Sequence, residues 1–579
     1  VLSEISKEAA LTIVRDYDAR MIFPYMHSEM SNELVNQLKV ANKVVAVIEH
    51  GDPRQVALRI RQAVARKWLS YADEAKELLK EYIIAPMWDR QVKDFLEIYA
   101  AWYELKDDDS YADTLTRAEQ LLSARKTLRD FKPNEPADLF GDIKSTLDGG
   151  RESVLRMGKL AGYRKLGIKH NEYLDAISLV KRLSHRLPSE ESKHFKSVCE
   201  VAFRQFTGGL ASRKEQSNAV ESYFSEVKSL LSSKGVDISE FTSLASAYDF
   251  FYDNRIEEKL YELPLLADQK GMLHEEEYTV LNDEISIQLS ELLSRQKIAP
   301  TSYYALLVGD GDRMGQCLRG MKHIEEHQQF TKELSAFAYQ VEKDIQQDYS
   351  GQMIYSGGDD VMAILPVHQC LQAARHIRQL FIDHMKAAVS GELPRPTFSI
   401  GIAIVHMVEP LEESLQLARS AEKMAKERRN ELALHFKKRN GSEELKVSLS
   451  FEGDPVGDVE LLQKLFRAES LSSSFAYELR QLHMEYKGLA VNDVLPGPVL
   501  QGLIEKELLR VLLKKKPSTM STEDTKAEIY TNILNIFNRL VERESETVQS
   551  VLGRLNHLAE QCVLALTLVR EGDFYGTNH

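Results

Sequence analysis

A chain of 579 residues with 43% hydrophobic and 28% charged residues has the balance of a multidomain globular protein. Its formal net charge of −14 argues against a stand-alone nucleic-acid binder, and no apolar run approaches the ~20 residues that span a bilayer, so no membrane role is expected. Four cysteines (Cys199, Cys317, Cys370 and Cys562) lie far apart without C-x-x-C spacing, which argues for reduced, buried thiols in a cytoplasmic protein rather than a zinc ribbon or disulfide framework. The start, Val1-Leu2-Ser3-Glu4, has no signal-peptide pattern; it also lacks an initiating Met, so the chain is treated as a possible fragment.

In chain order, residues 1–130 mix helices with a buried strand, Val44 to Ile48. Helical spacing follows at Val56, Ile60 and Val64, and again from Trp88 to Tyr103. Asp52 precedes Pro53 and reads as a turn residue. The run Asp107-Asp108-Asp109 reads as a solvated loop rather than a metal cluster. Residues 131–299 open on Pro133, Asn134 and Pro136, a linker signal, and continue mostly as helices. Phe224, Val227, Leu230 and Leu231 make one apolar stripe, and Leu281, Ile285, Leu289 and Leu292 another.

Residues 300–453 carry the chemistry. Tyr303 to Val308 reads as a buried strand running into Gly309-Asp310-Gly311-Asp312-Arg313. Met353 to Leu365 is a predicted β-hairpin, with apolar arms around Gly357-Gly358-Asp359-Asp360. Adjacent carboxylates at a tip repel unless a cation lies between them, and a hard divalent ion suits them. Two such acidic elements side by side in one sheet would serve two-metal phosphoryl or nucleotidyl transfer. A third strand, Phe398 to Val405, leads to a helix. One face holds Leu411, Leu415, Ala418, Ala421 and Ala425; Arg419, Lys423, Lys426 and Arg429 form a basic stripe able to neutralise a triphosphate. A last hairpin pairs Leu432–Phe436 with Leu445–Phe451 around Asn440-Gly441. Residues 454–579 read as wholly helical, with long amphipathic segments from Thr525 to Val541 and Val548 to Leu568, docking on another subunit or on the chain itself.

The order of strand, Asp-Gly-Asp, helix, Gly-Gly-Asp-Asp hairpin, Ser-Ile-Gly-Ile-Ala strand and Ala-Lys-Glu-Arg-Arg-Asn helix resembles the palm-type nucleotide cyclase domain of GGDEF diguanylate cyclases and class III adenylyl cyclases. Tyr-Ser-Gly-Gly-Asp-Asp-Val-Met-Ala-Ile-Leu-Pro with Leu-Leu-Val-Gly-Asp-Gly-Asp-Arg-Met-Gly is closer to the large subunit of type III CRISPR effector complexes of the Cmr type. The resemblance implies an α+β fold: two ferredoxin-like palm domains, the first (1–130) degenerate, with helical insertions and a C-terminal helical bundle. The stretch Ile22-Phe23-Pro24-Tyr25 with Asn42-Lys43 resembles the first palm, and Leu174 to Leu183 resembles the segment after the family's zinc region. Lys144 to Arg151 stands where that region's cysteines are expected, so no zinc is predicted.

By this resemblance, ATP is the substrate and Mg²⁺ or Mn²⁺ occupies a two-metal site. Asp310, Asp359 and Asp360 are the expected ligands, with the Gly311 carbonyl, and Asp312 binds metal or caps the next helix. Gly357, Gly358 and Ser356 are expected against the nucleotide, with Lys426 as the first choice of phosphate contact and Arg429 as the next. The implied product is cyclic oligoadenylate, made when target RNA pairs with the guide. The implied partners are other Cmr-type subunits, CRISPR guide RNA and target RNA. A non-catalytic scaffold and a stand-alone cyclase using GTP are the alternatives.

Other signals are weaker. His323-Ile324-Glu325-Glu326-His327 fits the H-x-x-E-H zinc-peptidase pattern, but its polar surroundings read as a solvated surface. There is no P-loop, and no His-Asp dipeptide of the kind a histidine-aspartate nuclease domain carries. The basic runs Lys159 to Lys169, Lys437-Lys438-Arg439 and Lys514-Lys515-Lys516 read first as solvated faces.

Overall fold

The computed structural model describes residues 1–93, 95–106, 110–128, 143–156, 168, 172–187, 195–211, 213–263, 275–389, 394–439, 444–490, 496–514, 523–539 and 547–572. The Asp107–Asp109 run, the Pro133–Pro136 linker, the lysines of the Lys159–Lys169 patch, the Asn440-Gly441 turn and Lys515-Lys516 lie outside them.

The N-terminal part pairs β1 (Arg20–Phe23) antiparallel with β2 (Val45–Val47). β2 is shorter than expected and half-buried rather than buried, because a two-stranded ribbon covers one face only. The helices Leu2–Tyr17 and Pro53–Leu79 pack beside it. Asp52 caps the second: its carboxylate accepts from the Arg54 N–H at 3.0 Å, and Pro53 follows at the first helical position. The helix expected from Trp88 to Tyr103 is Ala85–Lys93, and residues 95–103 have no regular structure. Tyr99 and Tyr103 instead hold the guanidiniums of Arg125 and Arg117, on the Tyr111–Thr127 helix.

A six-stranded sheet organises the rest, in the order β4-β5-β3-β6-β7-β8. Its strands are β3 (Tyr303–Asp312), β4 (Gln352–Gly357), β5 (Asp360–Leu365), β6 (Thr397–His406), β7 (Glu431–Lys437) and β8 (Glu444–Ser450). Both faces are covered, which is why β3 and β6 read as nearly unbroken apolar runs. Side chains alternate between two cores. Tyr304, Leu306, Ala403 and Val405 join a cluster with Phe203 and Phe251 of the middle region and with Leu281, Ile285 and Leu289 of the Glu275–Gln296 helix. Ala305, Leu307, Ile402 and Ile404 join Phe337 and Phe381, from the Ile324–Gln347 and Cys370–Ala388 helices, and residues Val551 to Leu568. The helices from Pro455 onward therefore share a core with the sheet of their own chain.

The Leu411–Arg428 helix lies against β6 and β7. A Cβ on Gly401 would come within 2.5 Å of the Glu422 Cα, so glycine is what lets this helix sit directly on the sheet. Leu411, expected on the apolar face, is 56% exposed, whereas Ala418, Ala421 and Ala425 are buried. All four cysteines are buried free thiols. Among the described residues no helix is long and apolar enough to cross a membrane.

Candidate active site

The site opens where two ladders end at different points. β3 stays paired with β6 from Tyr303↔His406 to Asp312↔Thr397. β5 leaves it earlier, after Gly309↔Val361. Asp310-Gly311-Asp312 thus runs on past β5, alongside the tip of the β4–β5 hairpin. There Gly357 pairs with Asp360, leaving Gly358 and Asp359 as the turn residues. Gly358 has φ +73°, as the mirror-image hairpin turns require. The tip closes onto β3: the Asp359 Cβ lies 3.0 Å from where a Cβ on Gly311 would be. Gly311 is glycine because two elements meet over it.

Carboxylates brought together this way raise one another's pKa. Asp359 is pushed up to about 6, by burial first and the Asp310 charge second. Asp360 is pushed up to about 7, by burial and then by its hydrogen bond and charge interaction with Asp310. It keeps a side open to solvent, so crowding against Asp310 weighs more in our reading than the enclosure does. Glu422, one turn before Lys426, is raised too, by burial and then by Asp310.

Lys426 is turned into this cluster rather than outward. Its Nζ donates to the carbonyls of Gly311 at 2.8 Å and Asp310 at 3.0 Å. It also ion-pairs with Asp310 Oδ2 and, at 3.3 Å, with Asp312 Oδ1. Arg429, Arg419 and Lys423 are exposed on the helix and its end, so the basic stripe divides into one inward cation and three outward ones.

Asp312 neither caps the next helix nor faces solvent. That helix, Met314–Gly320, has Arg313 at its N-cap with no side-chain cap bond. Asp312 is 1% exposed and accepts from Thr397 Oγ1 at 2.7 Å, Ser399 Oγ at 2.9 Å and the Asn430 N–H at 3.0 Å. Arg429 and Asn430 both have positive φ, +67° and +51°, a strained bend that turns the Asn430 amide toward Asp312. Arg378 fixes the bend by donating to Asn430 Oδ1 at 3.1 and 3.2 Å.

Two expected nucleotide contacts are already engaged. The Ser356 hydroxyl is buried and donates to the Ala338 carbonyl at 2.9 Å. Gly357 is covered: a Cβ there would lie 2.6 Å from Cζ of Tyr355 and closer still to its hydroxyl. The glycine accommodates Tyr355, two residues away on the same strand face, rather than leaving a bare surface. Burial raises the Tyr355 pKa, with the Asp360 and Asp359 charges adding to it. Sequence reading missed Tyr355 and Glu422, yet both carried a signal: i−2 from a motif glycine on a strand and i−4 from a motif lysine on a helix. The His-x-x-Glu-His segment is solvated at His323 and Glu325, as expected, but not at its second histidine. His327 is 6% exposed and its Nδ1 meets the Tyr111 hydroxyl at 2.7 Å.

Among the described residues no three or more His, Cys, Asp or Glu side chains draw together as a ready metal cage. A cation here would need backbone or phosphate oxygens as well, which suits Mg²⁺. The ring of oxygens around the Lys426 ammonium shows that the site can take a positive charge, and the raised carboxyls show acid in excess of it.

Residues 303–433 match the family model "Cas10/Cmr2, second palm domain". Over these residues the chain is similar to a Cas10/Cmr2 palm. The chain is also 28% identical over 298 residues to CRISPR system Cmr subunit Cmr2 of Pyrococcus furiosus, covering 45% of this chain and 31% of that relative. The match thus spans about a third of the relative's length. Two solved structures share the fold: a type III-B Cmr-beta complex bound to cognate target RNA (TM-score 0.57, 12% identity, 96% of this chain and 80% of that one). The other is the Cmr-beta apo state (TM-score 0.54, 12% identity, 96% and 79%). Within the matched residues the acids stand at the β3 end and the β4–β5 tip.

Proposed function

We propose that this palm is a metal-dependent nucleotidyltransferase that joins ATP into cyclic oligoadenylate, as the large subunit of a type III-B RNA-guided effector. The observation that carries the proposal is the convergence of Asp310 with the Asp359-Asp360 turn, close enough that the Asp310 charge raises the proton affinity of both turn carboxyls. Asp310, Asp359 and Asp360, with the Gly311 carbonyl, would hold Mg²⁺ or Mn²⁺. Such an ion, when bound, lowers the pKa of a ribose hydroxyl and steadies the charge on a leaving pyrophosphate.

The chain's own residues do the rest. Asp359 and Asp360, on a tight hairpin tip, fix where the α-phosphate can lie. Asp312, locked by Thr397, Ser399 and Asn430, holds the β3 end rigid beside them. Arg429, Arg419 and Lys423 give the triphosphate a cationic approach. The 3′-hydroxyl of one nucleotide then attacks the α-phosphate of another, and pyrophosphate departs. Guide RNA, target RNA and other Cmr-type subunits are the proposed partners; the match to a Cmr-beta complex bound to target RNA supports them.

A second reading, a scaffold that binds nucleotide without turnover, has one observation behind it: Lys426 already neutralises Asp310. Radiolabelled ATP or GTP with Mg²⁺ or Mn²⁺, given to the chain alone and to the assembled complex with target RNA, separates the readings. Oligoadenylate that disappears in the Asp359→Ala/Asp360→Ala double variant is the expected result. Turnover surviving in that variant would sink the metal assignment. Binding without product would favour the scaffold, and a product from GTP alone a diguanylate-type cyclase.

A further inference from the structure

Lys426 is placed poorly for a residue whose task is to grip a phosphate. Its Nζ is enclosed by four protein oxygens: the carbonyls of Gly311 and Asp310, Asp310 Oδ2 and Asp312 Oδ1. An ammonium has three protons, so this ring satisfies it completely. Two of the four, the Gly311 carbonyl and the Asp310 carboxylate, are the oxygens that a divalent ion in this site would use. A divalent ion on those two oxygens would stand against the ammonium, and the two cations repel.

We propose that Lys426 is the counter-ion of the metal-free site, and that a divalent cation competes with it for Asp310 and Gly311, driving the ammonium out toward the phosphates of a nucleoside triphosphate. The proposal rests on the metal site argued above. Three features fit it. Asp312 can release the lysine without being stranded, because Thr397, Ser399 and Asn430 still donate to it. The helix itself is fixed, since Gly401 lets its backbone rest on β6, so the movement belongs to the flexible four-carbon side chain. Lys426 is half-buried in the last helical turn, its side chain still 23% exposed. Metal and nucleotide then help each other bind: the ion evicts the ammonium and the phosphates receive it. Linkage makes that coupling reciprocal.

The test is a Mn²⁺ titration of the full chain without nucleotide, with free Mn²⁺ read by electron paramagnetic resonance. A phosphate-gripping lysine is irrelevant to this measurement. A competing lysine predicts that Lys426→Met binds Mn²⁺ more tightly than wild type, by about tenfold on the usual scale of such couplings, while Lys426→Arg does not. Equal or weaker binding by Lys426→Met overturns the proposal. If that variant folds poorly, wild type alone decides: Mn²⁺ should speed acylation of Lys426, followed by mass spectrometry, and an unchanged or slower rate overturns the idea. Mn²⁺ binding by neither protein at millimolar concentration would remove the metal site and this inference with it; equal binding by both removes this inference alone.

Discussion

The described residues form two sheets that meet, and of these one carries acids at its working end. β3 spans ten residues and delivers Asp310 and Asp312 beyond the point where β5 leaves it. β1 has four residues and ends at Phe23. The Phe23 ring approaches the palm's turn, with Cζ 3.8 Å from where a Cβ on Gly358 would stand. Around it, Gln328 Nε2 donates to the Met21 carbonyl at 2.7 Å, and Lys39 faces Glu342 at 3.7 Å. Surface ion pairs of this kind contribute little, so the apolar ring and the buried Tyr111–His327 pair matter more in seating the unit. The short sheet therefore buttresses the long one. The carboxylates at the strand ends tell the two roles apart.

The sharpest way to break this comparison is to remove one acid from each region. Asp310→Asn should lower nucleotide turnover by on the order of 10²–10³-fold, as losing a preorganised charge at a reacting phosphate does. Asp52→Ala, in the N-terminal unit, should leave turnover intact and cost about 1 kcal/mol of stability through its lost helix cap. Turnover that falls equally in both would mean the N-terminal unit takes part in the chemistry. Next in size is Gly401→Ala. Its methyl would drive the Leu411–Arg428 helix off β6, an overpacking cost of about 1–3 kcal/mol. Denaturant melts should show that loss, and nucleotide affinity should fall too because Lys426 rides on that helix. The same substitution at Gly149, where nothing lies within 4 Å, should do neither.

Much of the palm could be read from residue order, because its cues are local. A glycine pair between apolar arms makes a hairpin, and apolar runs covered on both faces make central strands. The N-terminal sheet was harder to read: β2 has three half-buried residues and no alternation to betray it. At the site, sequence pointed to the acids but not to what satisfies them. Asp312 is held by Thr397, Ser399 and Asn430, all more than eighty residues downstream. The inward turn of Lys426 is likewise a choice between solvent and a ring of oxygens that only the folded β3 end creates. The segment beside Lys144 is another case. There the fully buried Asp175 gathers Ser145 Oγ at 2.8 Å and the Ser178 N–H at 3.0 Å. Serines are too common for that knot to announce itself.

A smaller effect separates the regions by pH. Asp359 and Asp360 have folded values of about 6 and about 7, above those of an unfolded aspartate near 3.9. The folded state therefore binds protons that the unfolded chain has lost, and stability from this site falls as pH rises from about 4 to about 7. A bound divalent ion would remove that loss. Mg²⁺ should raise the melting temperature at pH 7.5 and much less at pH 5, and equal shifts at both would contradict the charge argument.

The smallest expected effect lies at the seam and has the opposite slope. Burial lowers His327 to about 4, against an unfolded histidine near 6.5. Unfolding takes up a proton in that window, so this contribution is fully present above pH 6.5 and is lost as pH falls toward 4. Tyr111→Phe leaves the buried Nδ1 without its partner and should cost about 1–2 kcal/mol. His327→Phe keeps an aromatic ring there and should flatten the acid side of the stability profile while leaving the Mg²⁺ response at pH 7.5 unchanged. If that variant lost the metal response as well, the N-terminal unit would be more than a buttress, because the acids would then depend on how it is seated.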